Sequence, residues 1–227
     1  MKSLLVSLVA LILIPSSMLN EDQKPTLIYV GDPMCSWCYG FAPEIYKTKE
    51  HFGDRVDFEL VMGGLRPYNT ETIADLGDFL SHHWKDVEKR SGQPFNYGIL
   101  KDASFIYDTE PACRAVVVAR SMNPEIEFAF FKDVQTMFYL HNKNTNDVNT
   151  YLEIAKKYKL NPEAFLQKFE SEEYKQKVKL DFVRAQELKA TGFPTALLII
   201  DGKATVLTRG YTNSEQLIES IENPLKN

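Results

Sequence analysis

Hydrophobic residues change their spacing several times along the chain, and the changes mark out elements. Leu27–Val30 is a continuous apolar, β-branched run that predicts a strand, closed by Gly31-Asp32-Pro33. A helical spacing over about Ser36–Phe52 follows through Ala42, Ile45 and Tyr46, with Pro43 inside it as a predicted kink. Val56–Met62 begins by alternating apolar and polar residues and predicts a second strand, closed by Gly63-Gly64. Strand, helix and strand make a βαβ unit, so the two strands should be parallel and the crossover right-handed.

A long helical stretch comes next. Thr70–Lys89 carries Ile73, Leu76, Phe79, Leu80, Trp84 and Val87 at spacings of three and four. Ser91 to Thr109 is irregular, and Pro111–Ser121 is rich in Ala and Val. Asn123-Pro124-Glu125 and Asn161-Pro162-Glu163 each combine a capping side chain, a proline at the first position and an early acid, which is a helix-start signature. The first leads into a face of Phe130, Val134, Met137 and Phe138, and Asp147–Tyr158 and Ser171–Ala190 predict two further helices, the last ended by Gly192. Ala196–Ile200 and Thr205–Thr208 flank Asp201-Gly202, a hairpin signal, and Ser214–Ile221 predicts a closing helix. The order is βαβ, a helical block, then ββα. The block has no composition break at its edges, so the expected organisation is one α/β domain over 21–227 with a helical insertion at about 66–190.

Residues 1–20 stand apart from this pattern. Met1-Lys2 is followed by an apolar run over Leu4–Ile14 and a break at Pro15-Ser16-Ser17. The run is too short to span a bilayer and has the form of a secretory signal, although no small-x-small cleavage triplet stands out. The expectation is a periplasmic or otherwise exported protein with no stable membrane span. An uncleaved signal serving as a membrane anchor, and an apolar helix of a cytosolic protein, are the alternatives.

The chain has 227 residues, 44% hydrophobic, which suffices for a sizeable core. A net charge of −5 without a basic block argues against nucleic acid as a partner. Three cysteines are a poor count for a disulfide-stapled fold. Cys35 and Cys38 stand at i and i+3 where strand turns into helix, and Cys113 is far away in a small-residue apolar helix, where a buried inert thiol is expected. The first helical turn has unpaired N–H groups and partial positive charge, which favours a thiolate, so Cys35 should titrate below a free thiol. One turn of separation lets the second sulfur displace a substrate from the first. Zinc would need about four ligands, and His51, His82, His83 and His141 have no ligand-like spacing to the pair, so no metal is expected. Met34, Trp37, Tyr39 and Phe41 are either core or the lining of an apolar groove, and Trp84 is packing.

Asp32 to Phe41 (DPMCSWCYGF), Thr109–Ser121 (TEPACRAVVVARS) and Thr191–Ile199 (TGFPTALLI) together resemble the DsbA family of thioredoxin-fold proteins, in the branch called FrnE-like or predicted protein-disulfide isomerases. The resemblance implies a DsbA-like thioredoxin fold interrupted by a helical insertion. It implies Cys35 as attacking thiol, Cys38 as resolving thiol, and Phe193 with Pro194 as a substrate-facing loop entered through a cis peptide. Such a bond would turn the Phe193 backbone outward, free to pair with an extended substrate. The implied activity is thiol–disulfide exchange on the cysteines of unfolded or disulfide-containing proteins. It uses no cofactor beyond the Cys35–Cys38 disulfide, and a redox partner resets the pair. A glutathione-dependent transferase or isomerase of related fold, and a non-catalytic chaperone, are the alternatives. Two residues depart from the family pattern. A buried acid commonly lies six positions before the first cysteine, and here that position is Tyr29, leaving water, Asp32 or Glu44 as proton acceptor for Cys38. The Ser36-Trp37 dipeptide has no His or cation, which points to a less oxidising pair.

Overall fold

The computed structural model describes residues 24–226. The expected leader at 1–20 lies outside the described residues. Four strands form one sheet in the order β2-β1-β3-β4: β1 (Thr26–Gly31), β2 (Asp57–Met62), β3 (Thr195–Ile200) and β4 (Lys203–Arg209). β1 and β2 are parallel, with Val30 opposite Val61, and are joined by helix α1 (Ser36–Phe52) as the βαβ reading requires. β1 and β3 are antiparallel, and β3 and β4 form the predicted hairpin. Asp201 and Gly202 at its tip both have positive φ, 51° and 73°, which matches a type I′ turn.

Both faces of the sheet are covered, which explains why Leu27–Val30 is apolar throughout rather than alternating. Leu27 and Tyr29 of β1, Leu60 and Met62 of β2, and Ala196 and Leu198 of β3 face one core, which includes Phe41 and Ile45 of α1 and Leu217 and Ile221 of α8 (Ser214–Leu225). Ile28, Val30, Val61 and Leu197 face the other way, onto Ala185 and Ala190. Ala185 belongs to α7 (Glu172–Glu187).

Between β2 and β3 lie α2 (Ile73–Ser91), α3 (Glu110–Met122), α4 (Glu127–Tyr139), α5 (Val148–Lys157), α6 (Pro162–Glu170) and α7. Three boundaries differ from the sequence expectation, each for a local reason. α2 starts three residues late because Thr72 and Asp75 close a capping box. Asn123 does cap its successor, accepting from the Glu125 N–H, but first into a 3₁₀ turn at Pro124–Ile126, so α4 begins at Glu127. α7 stops at Glu187, not at Gly192, because Lys189 takes the left-handed position (φ 56°) and the Ala190 N–H bonds the Ala185 carbonyl.

One charged cluster knits the insertion to the sheet. Arg120 of α3 pairs with Glu127 of α4 at 3.0 Å and Asp181 of α7 at 2.8 Å, and donates to the Leu60 carbonyl of β2. Asp181 in turn accepts the Met62 N–H. No described helix is long and apolar enough to cross a membrane.

Candidate functional site

The candidate reactive end forms where β1 gives way to α1. Cys35 is the N-cap residue of α1, with extended backbone (φ −83°, ψ 116°), and its N–H bonds the Asp32 carbonyl at 3.1 Å. Cys38 sits one turn further on. Both cysteines are free thiols and both are buried, Cys38 completely. Burial, followed by the adjacent Cys35 sulfur, pushes the Cys38 thiol well above its ordinary range, while the Asp32 backbone and the Tyr29 side chain pull it down.

The loop before β3 closes over the pair. Phe193–Pro194 is a cis peptide, and the Cys35 thiol donates to the Phe193 carbonyl at 3.5 Å. That carbonyl was expected to be free for substrate; here it already has a partner in Cys35. The Phe193 ring rests against Gly63 so closely that a Cβ on Gly63 would lie 2.3 Å from two ring carbons. Gly63 therefore sets how near the Phe193 ring can approach the end of β2.

The Pro33-Met34 segment before Cys35 is held by groups from the helical block. The hydroxyls of Tyr107 and Tyr139 both donate to the Met34 carbonyl, the latter at 2.6 Å, and Thr145 donates to the Met34 sulfur at 3.2 Å. Asp32 is fully buried; its carboxylate accepts the Met34 and Leu65 N–H groups at 2.8 and 2.7 Å and the Cys113 thiol at 3.4 Å. Burial raises its pKa above the ordinary carboxyl value, against the lowering effect of these donors. Cys113 is buried as expected, and burial followed by Asp32 pushes its thiol well up.

Neither carboxylate suggested as proton acceptor faces Cys38. Asp32 turns its side chain to Cys113, and Glu44 accepts the Ser214 N–H at 2.8 Å at the start of α8. Both are committed to donors that fix loops. Tyr29 shares the buried core of Cys38; its hydroxyl is enclosed without a hydrogen-bond partner, and burial, followed by the Cys38 sulfur, pushes its ionisation well up.

Beside Phe193 runs a groove of about 360 Å³ lined by Trp37, Arg90, Phe193, Gly210 and Tyr211. Among the four residues that were either core or groove, Met34, Tyr39 and Phe41 are core and Trp37 lines the groove. The Trp37 ring meets His83 edge-on at 5.9 Å and Tyr211 at 6.3 Å, and Arg90 lies over Tyr211 at 5.4 Å. The sequence reading missed His83, Arg90 and Tyr211. The first two belong to the polar positions of α2, which read in sequence as a solvated face, and Tyr211 follows β4 with no motif of its own.

Comparisons with known proteins converge on one fold. Residues 28–215 match the family described as thioredoxin. A structure from Nitrosomonas europaea described as a "putative protein disulfide isomerase" is 32% identical, superposes with a TM-score of 0.83, and shares 90% of this chain and 98% of its own. The cytosolic disulfide reductase DsbM from Pseudomonas aeruginosa is 26% identical, with a TM-score of 0.74 over 88% of this chain and 98% of that one. Among curated sequences, the ClpXP adapter protein SpxH of Bacillus subtilis is 24% identical over 179 residues. The alignments span 59% and 61% of the lengths of the two curated relatives matched.

Proposed function

The chain is a member of the thioredoxin family, with a DsbA-like fold, and from that premise we propose that it is a thiol–disulfide oxidoreductase acting through Cys35 and Cys38 on protein cysteines. The observation that carries this reading is the placement of the Cys35 thiol, at a helix start and 3.5 Å from the Phe193 carbonyl, with Cys38 enclosed one turn behind it.

In the reducing direction the Cys35 thiolate attacks a substrate disulfide. One substrate sulfur leaves as thiolate and the other is held in a mixed disulfide. Cys38 then gives up its proton, attacks the Cys35 sulfur and expels the second substrate thiolate, so the substrate gains two electrons and the pair becomes a disulfide. In the oxidising direction the same steps run backward. Phe193 and Pro194 form the edge along which an extended polypeptide docks, and the Trp37–Tyr211 groove takes an apolar side chain flanking the substrate cysteine. The neutral Ser36-Trp37 dipeptide brings no cation to the pair, which favours a reductase or isomerase over a strong oxidant. No dissociable cofactor takes part, and a separate redox protein returns the pair to its starting state. The apolar stretch within residues 1–20 supports export, which N-terminal sequencing of the mature protein would check.

Insulin reduction and refolding of scrambled ribonuclease test the activity. Cys35→Ser should abolish both, and a fully active Cys35→Ser protein would overturn the assignment. Equilibration in glutathione buffers then separates the directions: about −270 mV marks a reductant and about −120 mV an oxidant. A non-catalytic adapter is the second reading, favoured by the SpxH relatives. It predicts that partner binding survives Cys35→Ser.

A further inference from the structure

The Tyr29 hydroxyl is a buried donor with nothing to donate to. The side chain is 1% exposed, and no acceptor lies within hydrogen-bonding geometry of its oxygen. An unmade buried hydrogen bond is costly, so such groups generally have a partner in some state of the molecule. The ring cannot swing away. Phe41, Phe128 and Phe131 surround it at centroid distances of 5.8, 6.5 and 5.9 Å. It also lies back over Gly31, where a Cβ would be 2.8 Å from the phenol carbon and oxygen. Those contacts, from α1, α4 and the end of β1, hold the phenol in the core that also encloses Cys38.

We propose that Tyr29 is a catalytic residue of the exchange reaction, whose hydroxyl donates a hydrogen bond to the Cys38 sulfur once that sulfur becomes a thiolate. This deepens the oxidoreductase reading and rests on it. A thiol is a weak acceptor and leaves the phenol unpaired at rest, whereas a thiolate is a strong one. The donor is held in place beforehand and aimed at charge that appears only during resolution, so little reorganisation is needed at that moment. Tyr29 does not take the Cys38 proton. Burial holds its own ionisation well above the ordinary phenol range, so it stays neutral, and the proton passes to water. The remaining titratable or polar groups reaching Cys38 are Cys35 on the same helix and the Asp32 backbone; the Asp32 and Glu44 carboxylates are engaged elsewhere. A neutral donor lowers the cost of the Cys38 thiolate without placing a competing negative charge beside it, as a buried carboxylate would.

Stopped-flow reaction of the reduced protein with an aromatic disulfide reagent tests this, in a Cys113→Ser background. The first equivalent of released thiol reports attack by Cys35, and the second reports resolution by Cys38. Tyr29→Phe should leave the first phase within about twofold. It should slow the second about tenfold at neutral pH and move its pH midpoint upward by about one unit. A second phase unchanged in rate and midpoint in folded Tyr29→Phe protein would overturn the inference. Should Tyr29→Phe not fold, ring-labelled tyrosine in the wild-type protein gives the same answer. The Tyr29 phenol carbon signal should shift as Cys38 titrates, and a static signal would refute the contact. If the wild-type protein shows no second phase, because both thiols are capped separately, then the oxidoreductase reading itself fails.

Discussion

A methyl group built on Gly63 would lie 2.3 Å from two ring carbons of Phe193, well inside contact distance. The Phe193 carbonyl meets the Cys35 thiol, so displacing that ring moves an atom the Cys35 sulfur touches. Gly63→Ala should therefore cost about 1–3 kcal/mol of stability by overcrowding. It should also slow the Cys35 attack on a disulfide peptide, about tenfold for a misplacement of this kind. Urea unfolding and the first stopped-flow phase measure the two effects; a destabilised variant with an unchanged Cys35 rate would mean that Phe193 plays no part in docking. The placement of Cys35 and Cys38 where strand turns into helix was legible from their spacing, whereas the cis Phe193–Pro194 bond was expected only from the family resemblance. Arg90, His83 and Tyr211 were not. They gather around Trp37 only when α2, α1 and the segment after β4 come together, and nothing local marks a residue for a contact made across dozens of positions or more.

Among the elements, the junction of α3, α4, α7 and β2 carries a titratable charge. Burial raises Glu127 to about 7, more than the neighbouring Arg120 lowers it, since Asp181 draws on the same guanidinium. The folded protein therefore holds a proton on Glu127 that the unfolded chain, at an ordinary 4.5, has already lost. Stability from this site is fully present below about 4.5 and falls away as the pH rises to about 7. Denaturant titrations at several pH values should show wild type losing stability relative to Glu127→Gln across that window, with a constant difference above it. A flat difference throughout would mean that Arg120 keeps the carboxyl in its usual range. Helix existence was readable from apolar spacing, and Asn161-Pro162-Glu163 marked α6 correctly. The same tripeptide pattern at Asn123 instead opened a 3₁₀ turn, and Lys189 adopted the left-handed turn assigned to Gly192. Ends of helices depend on which backbone carbonyl the next amide finds, which periodicity does not encode.

At the level of the molecule, the helical block is tied to the cysteine end of the sheet by polar contacts as well as by packing. Tyr107, Tyr139 and Thr145 all converge on Met34, next to Cys35, and Leu65 at the exit of β2 bonds Asp32. Block and sheet should therefore unfold together. The chain has two tryptophans, Trp37 at the groove and Trp84 inside the block, so Trp37→Phe and Trp84→Phe leave one reporter in each region. Their urea transitions should coincide; a block that melts first would show that the contacts at Met34 are dispensable. The complete enclosure of Cys38 carries a last implication. In the exchange reaction proposed above, no client would touch that sulfur from outside, so a protein tethered to Cys35 could not hasten its own departure by way of Cys38. In the reducing direction the tether's life is then set by Cys38 and by how readily the departing sulfur leaves, so clients that differ in surface but present cysteines of like acidity should be let go at similar rates.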